Sequence, residues 1–247
     1  MKTIFDICYN ERTNQCLDIY LPEADEFSVF LYFHGGGLVS GDKTNDKNLF
    51  NYLASNNIAV VSVNYRMYPN AAYPDYLNDA ADAVAWMLSN MNKYGKIKGI
   101  YIGGSSAGGY ISQMLCFDEK WLSKHGITAA DFSGFIHDAG QPTCHFNVLH
   151  ERGLDTRKVI IDESAPLYHI GESENYPPML IIVSDNDLPN RYEQTMVLIS
   201  TLKQFGYSET VQLKVMHGGH CAYVNTLDKN GHSILGQLVM EFIESKN

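Results

Sequence analysis

Short apolar runs alternate with stretches of helical periodicity along this chain, and this alternation constrains the fold more than any other feature. Runs rich in β-branched and aromatic residues predict buried strands at 28–33 (SVFLYF), 58–63, 99–102, 179–183 and 211–215, with a weaker one at 132–136. Helical stretches fall between them at 75–91, 191–205 and 232–243. Strands that alternate with helices predict βαβ units. We therefore expect an α/β fold with a mostly parallel central sheet and helices on both of its faces.

Apolar stripes support the first two of these helices. The stripe of helix 75–91 consists of Leu77, Ala80, Ala81, Val84, Ala85 and Leu88, and that of helix 191–205 consists of Val197, Leu198, Leu202 and Phe205. Gly206 is expected to end the second helix in a left-handed conformation. Residues 16–20 alternate between apolar and polar, which predicts an antiparallel edge strand.

The composition indicates one globular domain over residues 1–247. Hydrophobic residues make up 45% of the chain and charged residues 19%, which excludes a disordered chain. No repeat, low-complexity tract or flexible linker divides the sequence. Residues 141–176 interrupt the strand and helix pattern, and loops of this length in compact domains are commonly functional. Two interpretations stay open for this excursion: a partial cover over the active site, or a structural surface segment with a short helix.

Charge and cysteine content exclude several classes of partner. The net charge of −10 disfavours nucleic acid and anionic membranes, and no apolar run reaches the roughly 18 residues that span a bilayer. The five cysteines are scattered without a CxxC pair, so neither a disulfide framework nor a zinc site is predicted. No metal and no cofactor are expected. The first residues lack the apolar stretch of a signal peptide, which predicts a cytoplasmic location.

The strongest local motif is a glycine-flanked serine directly after the predicted strand 99–102. Residues 104–108 (GSSAG) match G-x-S-x-G with Ser106 at the centre. A strand that turns at once into a helix strains the central residue, which is tolerated only where its neighbours lack bulky side chains. The helix start also supplies free N–H groups that favour an oxyanion. The alternatives are a glycine-rich turn or a phosphate loop, but no lysine stands in the P-loop position.

A second glycine run follows the predicted strand 28–33. Residues 34–37 (HGGG) match an oxyanion loop, in which backbone N–H groups approach a ligand closely. The expected donors are Gly35 or Gly36, together with the N–H of Ala107. His34 is expected to brace this loop, with its ring turned into the fold. A flexible turn is the alternative for the run taken alone.

A serine nucleophile needs a histidine base and an orienting carboxylate, in the chain order serine, acid, histidine. Asp185 and Asp187 both follow the predicted strand 179–183, and His217 and His220 both follow 211–215. Asp138 is a third acid, after the weaker strand. Either aspartate after 179–183 is also placed to cap a helix. The residues alone leave the choice within each pair open.

Together these motifs resemble the α/β-hydrolase superfamily of carboxylesterase type, near its hormone-sensitive-lipase-like and feruloyl-esterase-like branches. The resemblance covers nearly the whole chain, through 17–22 (LDIYLP), 34–37, 64–69 (NYRMYP), 104–108, 184–188 and 219–223. In the family the acid stands one residue before a leucine, which implies Asp187, and the histidine segment implies His220. Two departures stand out: Cys221 occupies a position where glycine is frequent, and 247 residues leave little room for a large cap domain.

The resemblance implies a serine carboxylic ester hydrolase that acts on small esters through an acyl-enzyme. Ser106, Asp187 and His220 would form the triad, and Gly35, Gly36 and Ala107 the oxyanion hole. The expected partner is a small-molecule ester. An amide-type hydrolase, arylformamidase-like or peptidase-like, would use the same residues, and a non-catalytic binding module is a further alternative. The oligomeric state is not predicted.

Overall fold

The computed structural model describes residues 1–246, which build one eight-stranded sheet in the order β1-β2-β4-β3-β5-β6-β7-β8. The strands are β1 Lys2–Asn10, β2 Gln15–Leu21, β3 Glu26–Phe33, β4 Ile58–Val63, β5 Lys96–Ser105, β6 Gly134–Asp138, β7 Met179–Asn186 and β8 Val211–Gly219. β2 runs antiparallel to β1 and β4, and the other neighbours are parallel. The predicted α/β class and mostly parallel sheet are confirmed.

Helices cover both faces of this sheet, as predicted. They are α1 Lys47–Ser55, α2 Asp75–Asn90, α3 Ala107–Phe117, α4 Glu119–Leu122, α5 Phe146–Glu151, α6 Arg191–Gln204 and α7 Ile234–Glu244. Alternate side chains of β3 enter two separate apolar clusters: Leu31 belongs to the one that includes residues of α2, α3 and α6, and Phe30 to the one that includes residues of α1 and α7. No large cap domain stands over the sheet within residues 1–246.

The prediction of an edge strand at 16–20 is wrong in its position. That segment lies within β2, which is antiparallel as expected but is enclosed between β1 and β4. The true edge is β1, whose residues are exposed or half-buried and whose pairing is interrupted by irregularities after Ile4 and Cys8. Exposed polar residues and breaks in pairing are typical of edge strands. They also remove the periodic signal that a sequence prediction needs.

Helix α6 ends where it was predicted to end, but part of its predicted stripe is wrong. Gly206 adopts φ +91°, and the N–H of Tyr207 donates to the carbonyl of Leu202 across the helix end at 2.9 Å. Leu198 and Leu202 are buried, whereas Val197 is 50% and Phe205 is 52% exposed. The buried side is instead formed by residues three and four apart that include Thr195 and Ile199. Because the buried stripe contains a polar residue, Thr195, a pattern based on apolar residues alone does not identify the buried side of the helix.

The excursion at 141–176 is not a surface flap throughout. Residues 141–145 are buried, α5 follows, and a 3₁₀ turn at Pro166–His169 leads back toward β7. Much of the stretch between α5 and that turn is exposed. None of the helices described in residues 1–246 combines the length and the apolar character needed to cross a bilayer.

Candidate active site

Ser106 occupies the sharp turn between β5 and α3. Its backbone adopts φ 56° and ψ −112°, a conformation that a residue with a side chain rarely enters. The glycines on either side allow this turn, because a Cβ at Gly104 would lie 2.5 Å, and one at Gly108 1.9 Å, from the carbonyl oxygen of Phe33. The turn is therefore packed directly against the end of β3. Close backbone packing and a strained serine are what the spacing of the motif predicts.

Three side chains from separate strand ends meet at this turn. The Oγ of Ser106 lies 2.7 Å from Nε2 of His220, and Nδ1 of His220 lies 2.6 Å from Oδ1 of Asp187. Asp187 follows β7 by one residue and His220 follows β8 by one residue. Neighbouring parallel strands end at the same edge of the sheet, which brings the loops that follow them together.

The environment of Asp187 fixes the tautomer of His220. The carboxylate is fully buried and accepts the N–H of Leu188 at 2.7 Å and that of Ser184 at 3.3 Å. Burial opposes ionisation, but these hydrogen bonds and the one from His220 outweigh it and lower the pKa of Asp187 below its usual value. An ionised carboxylate only accepts, so Nδ1 of His220 carries the hydrogen. Nε2 is then free to accept the proton of the Ser106 hydroxyl.

The other residues left open by the sequence lie elsewhere. Asp185 binds Nδ1 of His217 at 2.7 Å, but the His217 side chain is 96% exposed and has no contact with Ser106. The hydrogen bond that His217 donates to Asp185 raises the pKa of His217, as expected for an exposed ion pair. Asp138 is buried at the end of β6 and is hydrogen-bonded to Ser105 and Tyr223 rather than to a histidine.

The glycine loop after β3 faces Ser106. A Cβ at Gly35 would lie 3.3 Å from Cβ of Ser106, so the backbone passes close to the hydroxyl. Gly36 adopts φ +121°, and its carbonyl oxygen accepts the N–H groups of Val39 and Ser40, both at 3.1 Å. Opposite the loop, Ala107 is the first residue of α3, and its N–H has no partner within the helix. The predicted oxyanion donors thus flank the serine.

His34 lies behind this loop, with its ring inside the fold as expected. The ring stacks on Tyr65 with centroids 4.4 Å apart, and Nδ1 lies 2.7 Å from the carbonyl oxygen of Gly35. The Tyr65 hydroxyl in turn donates to the backbone carbonyl of His34 at 2.7 Å. Burial lowers the pKa of His34, so the ring is neutral and donates to Gly35. These contacts hold the first residues of the loop against the core.

A cavity of about 530 Å³ opens beside Ser106. Apolar side chains on its wall are Phe146, Leu188 and Val224, and polar ones are Ser40, Asn45, Asp46 and Asn225. Phe146 is the contribution of the 141–176 excursion, which reaches the cavity through the first residue of α5. Sequence reasoning missed Phe146 and Asp46, because neither belongs to a motif.

Cys221 also lines the cavity, next to the proposed base. It adopts φ +54°, the left-handed region that favours glycine, and its Sγ lies 3.6 Å from Nε2 of His220. The cysteine side chain therefore contacts the imidazole of His220. The thiol is half-buried, and its desolvation raises its pKa well above the usual range, so it faces His220 as a neutral group.

One other group of side chains has the composition of a metal site. Within residues 1–246, possible ligand atoms of Asp118, His169 and Glu172 lie within 4.8 Å of one another. His169 already uses both ring nitrogens, on Glu172 and on the backbone carbonyl of Glu163, each at 3.0 Å. Asp118 follows the far end of α3, roughly 18 Å along the helix from Ser106 at 1.5 Å per residue. The group therefore takes no part in chemistry at the serine.

Comparisons with known proteins agree with this architecture. The BD-FAE family model matches residues 17–131. "Probable carboxylesterase 7" of Arabidopsis thaliana is 32% identical over 146 residues, which is 53% of this chain and 46% of that protein. Esterase LipC of Mycobacterium tuberculosis is 23% identical over 237 residues, which is 87% of this chain and 58% of that protein. The chain thus spans about half the length of the curated relatives it matches.

Solved structures show the same fold over nearly the whole chain. Esterase B from Lactobacillus rhamnosis superposes with a TM-score of 0.80 at 17% identity, covering 99% of this chain and 86% of that one. The thermophilic esterase Est2 from Thermogutta terrifontis gives a TM-score of 0.73 at 21% identity, covering 97% and 90%. At these identities the likeness establishes the fold alone. Taken with the sequence matches, it shows that the chain has the α/β-hydrolase fold and is similar in sequence to carboxylesterases and other esterases.

Proposed function

We propose that this protein is a serine carboxylic ester hydrolase that cleaves small esters through an acyl-enzyme. The observation that carries the proposal is the hydrogen-bonded series Ser106–His220–Asp187, with distances of 2.7 and 2.6 Å, at the wall of an open cavity. A hydroxyl, a neutral imidazole and an ionised carboxylate in this order are the parts that nucleophilic acyl transfer requires.

In the first half-reaction, His220 Nε2 takes the hydroxyl proton while Ser106 Oγ attacks the ester carbonyl carbon. Asp187 holds the imidazole in its orientation and stabilises the imidazolium that forms. The carbonyl oxygen becomes an oxyanion, which accepts hydrogen bonds from the N–H of Ala107 and from Gly35 or Gly36. The imidazolium then protonates the departing alkoxide, and the bond between the carbonyl carbon and the alcohol oxygen breaks. The acyl group remains on Ser106.

In the second half-reaction, water replaces the alcohol. His220 takes a proton from the water, the resulting oxygen nucleophile attacks the acyl carbon, and the same oxyanion donors are used again. His220 returns the proton to Ser106 Oγ as the acyl bond breaks. The products are a carboxylic acid and the regenerated serine.

The shape of the cavity and the names of structural neighbours support small acyl groups. A volume of about 530 Å³ lies within the range of small-molecule sites, and the described chain has no large cap over it. Among neighbours of the same fold, esterase B from Lactobacillus rhamnosis was captured with a tributyrin phosphonate, and Est2 from Thermogutta terrifontis with propionate and with butyrate. We propose that the present protein likewise accepts short acyl groups.

The test is hydrolysis of p-nitrophenyl acetate and butyrate by the wild type and by Ser106→Ala. We expect the variant to lose at least about 10³-fold in kcat, because the nucleophile is removed while binding remains. Ser89→Ala is the matched control, since Ser89 is an exposed serine on α2 that bonds only to the carbonyl of Ala85. Equal rates for the wild type and Ser106→Ala would refute the proposal.

Two further measurements separate the alternatives. A fluorophosphonate probe labels an activated serine, so a non-catalytic binding module would stay unlabelled. An N-formyl aryl amide assayed beside butyryl and feruloyl esters tests the amide-type alternative, which uses the same three residues. We expect the ester to be turned over faster than the amide, and the reverse order would make the amide-type hydrolase the correct assignment.

A further inference from the structure

Asp138 is a fully buried acid that the proposed reaction does not use. It is the last residue of β6, and both oxygens of its carboxylate are occupied. One oxygen accepts the hydroxyl of Ser105, the residue before the nucleophile, at 2.5 Å. The other accepts the hydroxyl of Tyr223. The backbone carbonyl of Asp138 also accepts the N–H of Ser106 at 2.8 Å.

The two donors belong to the two segments that carry the proposed nucleophile and base. Ser105 precedes Ser106 in the turn after β5, and Tyr223 lies three residues beyond His220. Between His220 and Tyr223 the chain is tightly turned, with the N–H of Ala222 donating to the carbonyl of Gly219 at 3.2 Å. Fixing the Tyr223 ring therefore restrains the position of His220. A single carboxylate, that of Asp138, therefore connects the turn that carries Ser106 with the segment that carries His220.

Ala139, the residue after Asp138, connects this turn to the segment that carries Asp187. The N–H of Ala139 donates to the carbonyl of Ile182 in β7 at 2.8 Å, and its own carbonyl accepts the buried guanidinium of Arg191. Arg191 opens α6, four residues beyond Asp187. The turn at 138–139 thus contacts all three segments that carry Ser106, Asp187 and His220.

We propose that Asp138 is a positioning residue, whose carboxylate joins Ser105 to Tyr223 and thereby holds Ser106 Oγ within hydrogen-bond distance of His220 Nε2. This inference rests on the function proposed above. Both partners donate, so the site calls for a side chain that accepts twice from a buried position, which an ionised aspartate does. An asparagine of the same shape accepts on one atom and donates on the other.

The charge of Asp138 also supports its role as a positioning residue. Burial raises the pKa of Asp138 to about 6, against the hydrogen bonds from Ser105 and Tyr223, which lower it. The titratable groups that interact with this carboxyl are Tyr32, Asp187, His220, Cys221 and Tyr223. Near neutral pH the carboxylate is ionised, and its charge favours the imidazolium that forms on His220 during the proposed reaction.

The test compares Asp138→Asn, Tyr223→Phe and the double variant. Each single variant removes one part of the connection and keeps the shape of its side chain. We expect kcat to fall about 10- to 100-fold while KM changes less than about threefold, because a small displacement of reacting groups slows chemistry more than binding. The double variant is expected to lose no more than Asp138→Asn alone, since both changes break the same connection.

Tyr101→Phe is the matched control. Tyr101 is equally buried, and its hydroxyl donates to the carbonyl of Ile243, outside the site, at 3.4 Å. We expect its kcat to stay within about twofold of the wild type. The melting temperature of each variant shows whether the loss of a buried hydroxyl affects folding rather than positioning.

The rate of reaction with a fluorophosphonate gives a second readout that needs no ester substrate, and it should fall in step with kcat. Wild-type kcat for Tyr223→Phe, or losses that multiply in the double variant, would overturn the inference. If Asp138→Asn does not fold, Tyr223→Phe alone decides. Failure of the proposed function looks different, because the wild type itself would then show neither hydrolysis nor labelling that depends on Ser106.

Discussion

Replacement of Gly36 by alanine tests whether the glycine loop after β3 binds the oxyanion. The backbone at Gly36 has φ +121°, and an added Cβ would lie 1.9 Å from the carbonyl oxygen of Ser40. Real Cβ contacts stay beyond 3.0 Å, so the loop has to move by about 1 Å. The moving segment carries the N–H groups that we propose as oxyanion donors. Loss of one oxyanion donor costs about 10²- to 10³-fold in kcat, or about 3–4 kcal/mol in the barrier.

Gly126→Ala is the matched control for backbone strain. Gly126 also has a left-handed conformation, with φ +69°, but no atom lies within 4 Å of the added Cβ. It is expected to lose about 1–2 kcal/mol of stability and to keep its kcat. Hydrolysis of p-nitrophenyl butyrate, with active serines counted from the p-nitrophenol burst, gives kcat for both variants, and thermal unfolding gives their stability. A folded Gly36→Ala protein with kcat within threefold of the wild type would refute the role of this loop.

Three further outcomes follow from the site. Asp187→Asn should lower kcat by about 10⁴-fold with little change in melting temperature, because an amide favours the wrong tautomer of the histidine; a loss below tenfold would contradict its role. His217→Ala should leave kcat unchanged, although the hydrogen bond between His217 and Asp185, at 2.7 Å, is nearly as short as the 2.6 Å bond between His220 and Asp187. The pKa of Asp138 is about 6 in the folded protein, against 3.8 in the unfolded chain. The protonated carboxyl therefore stabilises the fold fully below pH 3.8, and this stabilisation is lost as the pH rises through 6. Between pH 4 and pH 7 the free energy of unfolding in urea should therefore fall by about 2 kcal/mol more for the wild type than for Asp138→Asn, and parallel pH profiles would contradict this.

The central strands were predictable because both of their faces are buried. β4 has the predicted bounds, Ile58–Val63, and each of its six residues is buried. A continuous apolar run needs no knowledge of partners to be recognised. β1 carries no such signal, because it has one neighbour and its side chains remain exposed or half-buried. Helix α1 was also missed: it is short, and its N-cap residue, Asp46, makes no side-chain capping bond.

The strained turn that carries Ser106 was predictable from local sterics, and the cavity wall was not. The glycines around Ser106 are required by contacts with the end of β3, whatever the rest of the chain does. Phe146 and Asp46 come to the cavity from α5 and from the residue before α1, and neither has a local signature. Which side chains line a cavity depends on how distant loops pack. The connection made by Asp138 is of the same kind, since its two partners lie 33 and 85 residues away.

The choice between the two aspartate–histidine pairs depends on one irregularity in the sheet. Ser184 of β7 pairs with Met216 of β8, but Asn186 pairs with Gly219, so β8 contains one extra residue between these points. Within the irregular stretch Asp185 is hydrogen-bonded to His217, and directly after the two strands Asp187 is hydrogen-bonded to His220. Gly218, with φ +117°, accommodates the extra residue. In a regular ladder the residue opposite Asp187 would be Gly219, and the imidazole would be one position out of register. The glycine pair before His220 thus determines which histidine reaches Ser106. Its effect depends on how β7 and β8 pair, and strand pairing cannot be read from the local sequence.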